Sequence, residues 1–213
     1  VPSDLWGGLP LTLFLAVIAC LAGVPLGILL ALGRRSSLPL IRILCTGFIE
    51  AVRGVPLITL LFFGAFVLPM LVPAQWRVDP MVRIAVCLAA FSAAYLAEVF
   101  RGGLQAVPQG QVMAAQAMGF TRVQVLRHVV LPQALRVTIA PTVSNFIGAV
   151  KDTSLVAIVN IYDITGSLKM AMSDPHWIAY FVEMYMVVCA VYLLIGLGIA
   201  RYGRFLESRY ALQ

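Results

Sequence analysis

Long apolar runs separated by short polar breaks dominate this chain. Runs of about 20 residues, enough to cross a hydrocarbon core as helix at 1.5 Å per residue, fall at 9–32, 55–72, 81–100, 137–159 and 178–200. The pattern predicts an all-α integral membrane protein with about five transmembrane helices. The first run contains Gly23, Pro25 and Gly27. Two small residues four apart allow close helix approach, and the proline allows a bend without any contact role; both readings stand. Between the first two runs, 36–54 is amphipathic and carries Arg42, Glu50 and Arg53. Glu50 and Arg53 lie three apart and are expected to pair on one helix face. The break at 73–80 holds Trp76, a residue suited to a membrane interface.

The longest break, 105–131, is itself patterned. Residues 114–118 are good helix formers. In the segment after Gly119, Val123, Leu126 and Val130 make one apolar stripe at i, i+3 and i+7. Two short helices meeting at Gly119 predict a compact knob between spans, and Leu131-Pro132 is expected to open a new apolar segment. Loops of this length with their own helices are usually functional.

Composition strengthens the membrane reading. Of 213 residues 62% are hydrophobic and 11% charged, against roughly 45–50% and 25% in soluble domains. One domain over residues 1–213 is expected. The sequence opens on Val1 rather than Met, and is expected to lack its true start. The net charge of +6 does not indicate nucleic acid, because the basic residues flank apolar runs. With the N-terminus outside, Arg34, Arg35, Arg42, Arg53, Arg101, Arg122, Arg127, Arg136, Arg201, Arg204 and Arg209 gather on the inner side. Arg77, Arg83, Lys151 and Lys169 lie outside or in the fourth run, a division of eleven against four. The positive-inside rule then predicts N-out, C-in and a cytoplasmic knob. Cys20, Cys45, Cys87 and Cys189 have no metal spacing and read as small buried hydrophobes. His128 and His176 are isolated, and there is no phosphate loop or nucleophile elbow. No catalytic residue, no metal and no cofactor on this chain are expected; it does not read as an enzyme.

Charges inside a span are costly and functional by default. Lys151, Asp152, Thr153 and Ser154 interrupt the fourth run. Lys151 falls roughly 21 Å along a helix begun near Val137. Consecutive residues point about 100° apart on a helix, so Lys151 and Asp152 need separate partners. Those partners are either a solute or neighbouring helices. Glu98 falls roughly 24 Å along the third span, near its inner end, and either lines a pathway or pairs with Arg101 at i+3.

Gly110-Gln111, Ala114-Ala115 and Gly119, followed by Leu131-Pro132-Gln133-Ala134-Leu135-Arg136, resemble the EAA loop of bacterial ABC-importer permeases. Lys151 to Leu155 and the stretch from Phe48 to Leu57 are similar to the polar amino-acid branch of that family. The likeness covers nearly the whole chain. It departs at Met113, where the family motif opens with an acid, so no carboxylate role transfers there.

The resemblance implies a permease subunit of an ATP-driven importer in the bacterial inner membrane. ATP and Mg would be bound by separate ABC ATPase subunits, which dock at the loop through Gly110, Gln111, Ala114, Ala115, Gly119, Arg122, Leu131 and Pro132. A second permease copy or homologue, a periplasmic solute-binding protein and membrane lipid complete the expected partners. A polar L-amino acid would be the cargo. Its carboxylate needs a cation and its ammonium an anion, which Lys151 and Asp152 offer beside the Thr153 and Ser154 hydroxyls. Glu98 would line the lower pathway, and Glu50 with Arg53 would orient the inner mouth. The alternative is a stand-alone ion-driven carrier or channel. That would explain buried charges but not a glycine-hinged knob.

Overall fold

The computed structural model describes residues 6–73, 75 and 78–210. Val1, Trp76 and Arg77 lie outside the described residues. Helix α1 (Gly8–Arg34) is followed by α2 (Pro39–Gly54), α3 (Leu57–Phe62), a π turn (Phe63–Val67) and α4 (Leu68–Leu71). Then come α5 (Pro80–Ala106), α6 (Gln109–Ala117), α7 (Arg122–Val125), a second π turn (Leu126–Val130) and α8 (Leu131–Asp152). A 3-10 stretch (Thr153–Val159), α9 (Ile164–Ala171), α10 (Pro175–Ile178) and α11 (Phe181–Tyr210) complete the order. Among the described residues four helices are long and apolar enough to cross a membrane: α1, α5, the helix over Arg122–Val159, and α11. A fifth arises if the bent pair Pro39–Gly54 and Leu57–Leu71 is one span.

That pair turns through 107° because Pro56 follows Val55. The proline ring excludes the helical region for the preceding residue, and Val55 is extended at φ −115°, ψ 148°. The second apolar run is helical over Leu57–Leu71 and is entered through this sharp bend.

Both π turns sit directly before a Leu-Pro pair, Leu68-Pro69 and Leu131-Pro132. Proline donates no N–H, and its ring crowds the carbonyl four residues back. Widening the turn relieves that clash. At the first site the freed Ala65 carbonyl accepts from Arg83 Nη1 at 2.7 Å, and Gly64 accepts from the same nitrogen at 2.8 Å. At the second site the helix continues through Pro132. Leu131-Pro132 thus opens α8, as the apolar segment expected there, without a break in the helix. The second helix of the knob and the fourth span are one rod of 38 residues.

Small residues set the packing. Gly23 and Gly27 of α1 lie against α5. A Cβ at Gly23 would come within 2.7 Å of Ser92 Oγ, and one at Gly27 within 2.8 Å of Leu96 Cβ. The pair is a contact surface rather than a passive bend. Gly103 of α5 lies against Ala134 and Thr138 of α8, and Gly203 of α11 against Val143. The core on one side of the bundle gathers Leu11 and Leu15 of α1, Leu57 and Leu61 of α3, Ile84 and Leu88 of α5, and Val156 and Val159. Most apolar side chains of α11 are exposed, including Met186, Val187, Leu193 and Leu194.

The bundle end near Gly8 is pinned by polar bonds. Asp163 is fully buried and caps α9 by accepting from the Gly166 N–H at 2.9 Å. The Tyr192 hydroxyl of α11 donates to its second oxygen at 2.9 Å, and Ile164 N donates to Thr12 Oγ1 of α1 at 3.0 Å. Burial pushes the Asp163 carboxyl up from its ordinary range, partly offset by the Gly166 N–H and the Tyr192 hydroxyl.

Candidate functional site

α6 ends at Ala117 in a motif that requires glycine. Gly119 has φ +86°. Its N–H donates to Gln116 O, and Phe120 N donates to Ala115 O, satisfying the last carbonyls of α6. Thr121 then caps α7, with its side chain and that of Gln124 bonded reciprocally. The predicted two-helix knob is present and hinged where expected. Gly110, Met113, Ala114 and Ala117 form one exposed stripe on α6, while Ala115 is buried. Gln133 Nε2 donates to Gln111 Oε1 at 2.6 Å, clamping α6 to α8. Leu131 is half-buried and Pro132 exposed. The apolar stripe expected after Gly119 is different: Val123 is 72% exposed and Val125 is buried at 4%. Of the three stripe positions Val123 and Leu126 are exposed and Val130 is half-buried.

Further along the same rod, α8 gives way to the 3-10 stretch between Asp152 and Thr153. Thr153 is fully buried, and its hydroxyl donates to the Val150 carbonyl at 2.8 Å. Lys151 and Asp152 diverge, as their helical spacing requires. Lys151 and Ser154 line a cavity of about 490 Å³ between α8 and α11, together with Ile147, Cys189, Tyr192 and Gly196. Asp152 lines a separate cavity of about 290 Å³ among α1, α5 and α8, with Ala19, Phe91, Ser92, Tyr95, Asn145 and Gly148. No ion pair joins Lys151 or Asp152 to another described residue. Neighbouring helices therefore do not hold these two charges by ion pairing.

The Asp152 cavity has polar walls that hydropathy did not single out. Ser92 Oγ donates to Asn145 Oδ1 at 2.9 Å across α5 and α8. The Tyr95 ring packs on Phe91, centroids 4.8 Å apart, and carries the Arg53 guanidinium 5.2 Å over its face. Polar side chains inside apolar runs were the available signal for Ser92 and Asn145. Tyr192, part of the Lys151 cavity, gave no such signal, because a tyrosine in a span is ordinary. Cys189 lines that cavity and is exposed, unlike buried Cys87; Cys20 and Cys45 are intermediate.

One helical turn beyond Tyr95, Glu98 collects three arginines. Arg34 Nη1 donates to Oε1 at 2.5 Å, and Arg101 donates to Oε2 from Nε at 2.9 Å and Nη2 at 2.7 Å. Arg53 stands 3.8 Å from the same oxygen. Glu50 pairs with Arg34 at 2.8 Å. The expected Glu50–Arg53 pair is not formed; each residue is engaged by a charge from another helix. An i, i+3 spacing permits a pair, but fixed charges on α1 and α5 lie closer. Among the described residues no three His, Cys, Asp or Glu side chains converge as metal ligands.

Comparison with known proteins covers almost the whole chain. The family described as binding-protein-dependent transport system inner membrane component matches residues 23–211. The chain is 44% identical over 212 residues to the inner membrane amino-acid ABC transporter permease protein YhdY of Escherichia coli, covering 99% of this chain and 57% of that one. It is 43% identical to the glutamate/glutamine/aspartate/asparagine transport system permease protein BztC of Rhodobacter capsulatus, over 98% of this chain and 48% of that one. The chain thus spans about half the length of these two curated relatives. A crystal structure described as an amino acid ABC transporter with histidines aligns at a TM-score of 0.85 and 30% identity, covering 95% of this chain and 92% of its own.

Proposed function

Because the chain belongs to the family of binding-protein-dependent transport system inner membrane components, we propose that it is the membrane-spanning subunit of an ATP-driven importer of polar amino acids. It works with separate ATPase subunits that bind ATP and Mg, a second permease subunit and a periplasmic solute-binding protein. It is a transport subunit, with the N-terminus outside and the C-terminus and knob in the cytoplasm. The single domain 1–213 supplies one half of the pathway.

One observation carries the mechanism: a continuous 38-residue helix holds the knob at one end and Lys151–Asp152 toward the other. Some 30 residues separate Arg122 from Asp152, about 45 Å along the axis. Because the helix is continuous, movement of the knob by a closing ATPase would shift the residues at the cavities. Rigid-body rearrangement of this kind alternates access to a central site. The exposed stripe of Gly110, Met113, Ala114 and Ala117 is the face of α6 that an ATPase groove would cover, with Gly119 fixing its angle to Arg122 and α7.

The Asp152 cavity suits the ammonium end of a zwitterion. The 290 Å³ space beside Asp152 lies near the lower end of small-ligand pockets, roughly 300–1,000 Å³. Asp152 would receive the ammonium group, with the Ser92–Asn145 pair beside it. Lys151 and Ser154 face the separate cavity between α8 and α11 and would not meet a solute molecule held at Asp152. Thr153 is spent on Val150 and serves the backbone turn rather than the solute. Glu98 lies below the cavity, held by its arginines, and belongs to the closure of the inner mouth with Arg53 and Glu50.

The test is reconstitution of the complete transporter in proteoliposomes, with labelled polar amino acids delivered by the binding protein. Uptake should require ATP on the cytoplasmic side. Asp152→Asn should assemble and keep basal ATPase activity while its apparent substrate constant rises about ten- to a hundred-fold, the loss of one charge-assisted hydrogen bond. Uptake driven by an ion gradient without ATP would overturn the proposal. A stable Asp152→Asn with unchanged kinetics would remove Asp152 from the pathway.

A further inference from the structure

A third cavity lies away from the pathway, at the end of the bundle that the proposed orientation makes cytoplasmic. It has a volume of about 290 Å³ and is enclosed by the ends of α1 and α5 and by the knob. Leu32 and Leu104, two residues before the ends of α1 and α5, line it on the side of the spans; Val125 and Val130 continue the apolar lining. Two guanidinium-bearing residues, Arg35 and Arg122, line it as well.

The charge pattern around it is uneven. Glu50 and Glu98 are engaged by Arg34, Arg53 and Arg101. Arg35 and Arg122 form no ion pair with any described residue, although they belong to the same basic end of the molecule. Two uncompensated guanidiniums beside an apolar wall, at the depth where two spans end, match an amphiphile with an anionic head. We propose that this cavity binds an anionic phospholipid of the inner leaflet. Its phosphate would lie between Arg35 and Arg122, and an acyl chain would run along Leu32 and Leu104.

Guanidinium groups suit phosphate because their forked donors bind two oxygens at once. Basic pockets between spans on the cytoplasmic side are a recurrent way to hold such headgroups. A free inorganic anion would gain nothing from the apolar wall. An acidic side chain of the ATPase is the competing occupant, since Arg122 is exposed and the resemblance gives it to ATPase docking; the lining by Gln109, Val112 and Gln116 nonetheless lies off the Gly110, Met113, Ala114 and Ala117 stripe of α6. The bound lipid would brace the knob against the spans, so its occupancy would also adjust how firmly α6 and α7 are presented.

The experiment uses the purified permease–ATPase complex in a neutral detergent, with thermal unfolding followed during titration of phosphatidylglycerol. Phosphatidylcholine of equal chain length and inorganic phosphate serve as the comparison ligands. Phosphatidylglycerol should stabilise the complex saturably, and the other two should not. In the double variant R35Q/R122Q its apparent affinity should fall about five-fold for each arginine removed. R201Q/R204Q, two exposed arginines on α11, should leave that affinity unchanged. Equal stabilisation by inorganic phosphate would make this a free-anion site and overturn the lipid assignment. An equal loss in R201Q/R204Q would replace the site by diffuse attraction. Stabilisation seen only after removal of the ATPase would show that a partner's acidic group fills the cavity.

Discussion

Glu98→Gln is the most informative single perturbation of the fold. The side chain accepts three hydrogen bonds, from Arg34 on α1 and from two nitrogens of Arg101 on α5, with Arg53 of α2 standing next to them. It is 17% exposed, and the arginines are 25%, 33% and 34% exposed. Breaking a buried pair costs about 3–5 kcal/mol, and an exposed one about 0.2–1 kcal/mol. This cluster lies between those limits. Glutamine retains one acceptor oxygen and the shape, so the loss is mainly of charge and of one or two bonds. We expect about 2 kcal/mol, which for a chain of this size lowers the midpoint by roughly 4–8 °C. Glu50→Gln, whose side chain is 58% exposed with a single arginine contact, should cost no more than about 1 kcal/mol. Thermal unfolding of both variants in the same detergent gives the comparison. A Glu98→Gln midpoint within about 1 °C of wild type, or a larger effect from Glu50→Gln, would refute the view that Glu98 ties three helices together.

Gly119→Val should uncouple transport from ATP hydrolysis or abolish ATPase binding, because a β-branched residue does not tolerate φ +86°; normal assembly and substrate-stimulated ATPase activity would contradict it. In a cysteine-less background, single cysteines at 167–174 should react with an impermeant reagent from outside and those at 120–128 should not; the reverse pattern would invert the proposed orientation. Asp163, outside the spans, has its carboxyl raised by burial. A raised carboxyl takes up a proton more readily when folded, so its favourable contribution is full below the unfolded value and fades as pH rises through the folded one. The stability of wild type relative to Asp163→Asn should therefore fall as pH rises through the acid range towards neutrality. Melting curves of both proteins across that range supply the check, and a difference independent of pH would count against it.

Much of the architecture is legible in the sequence because the bilayer imposes it. A backbone crossing hydrocarbon must satisfy its own hydrogen bonds, so a long apolar run is a helix. The Gly119 turn was readable for a similar reason: a break flanked by helix formers needs a residue that accepts positive φ. The divergence of Lys151 and Asp152 followed from helical spacing alone. The two Leu-Pro pairs were visible but not interpretable in advance, since proline can kink, end or widen a helix. Which outcome occurs depends on what receives the freed carbonyl, and at Ala65 that is Arg83.

Tertiary structure alone decided which faces meet and which charges pair. In water, an apolar stripe marks the buried face of a helix. In a membrane, lipid-facing and protein-facing surfaces are both apolar, so periodicity loses that meaning. α11 is rich in apolar residues yet largely exposed, while Gly23, Gly27 and Gly103 mark the close contacts. Arg34 and Glu98, and Ser92 and Asn145, are remote in sequence and meet only because those glycines let α1, α5 and α8 approach. Local spacing favoured Glu50 with Arg53. The shorter Coulomb distances created by packing three helices together assigned both residues elsewhere.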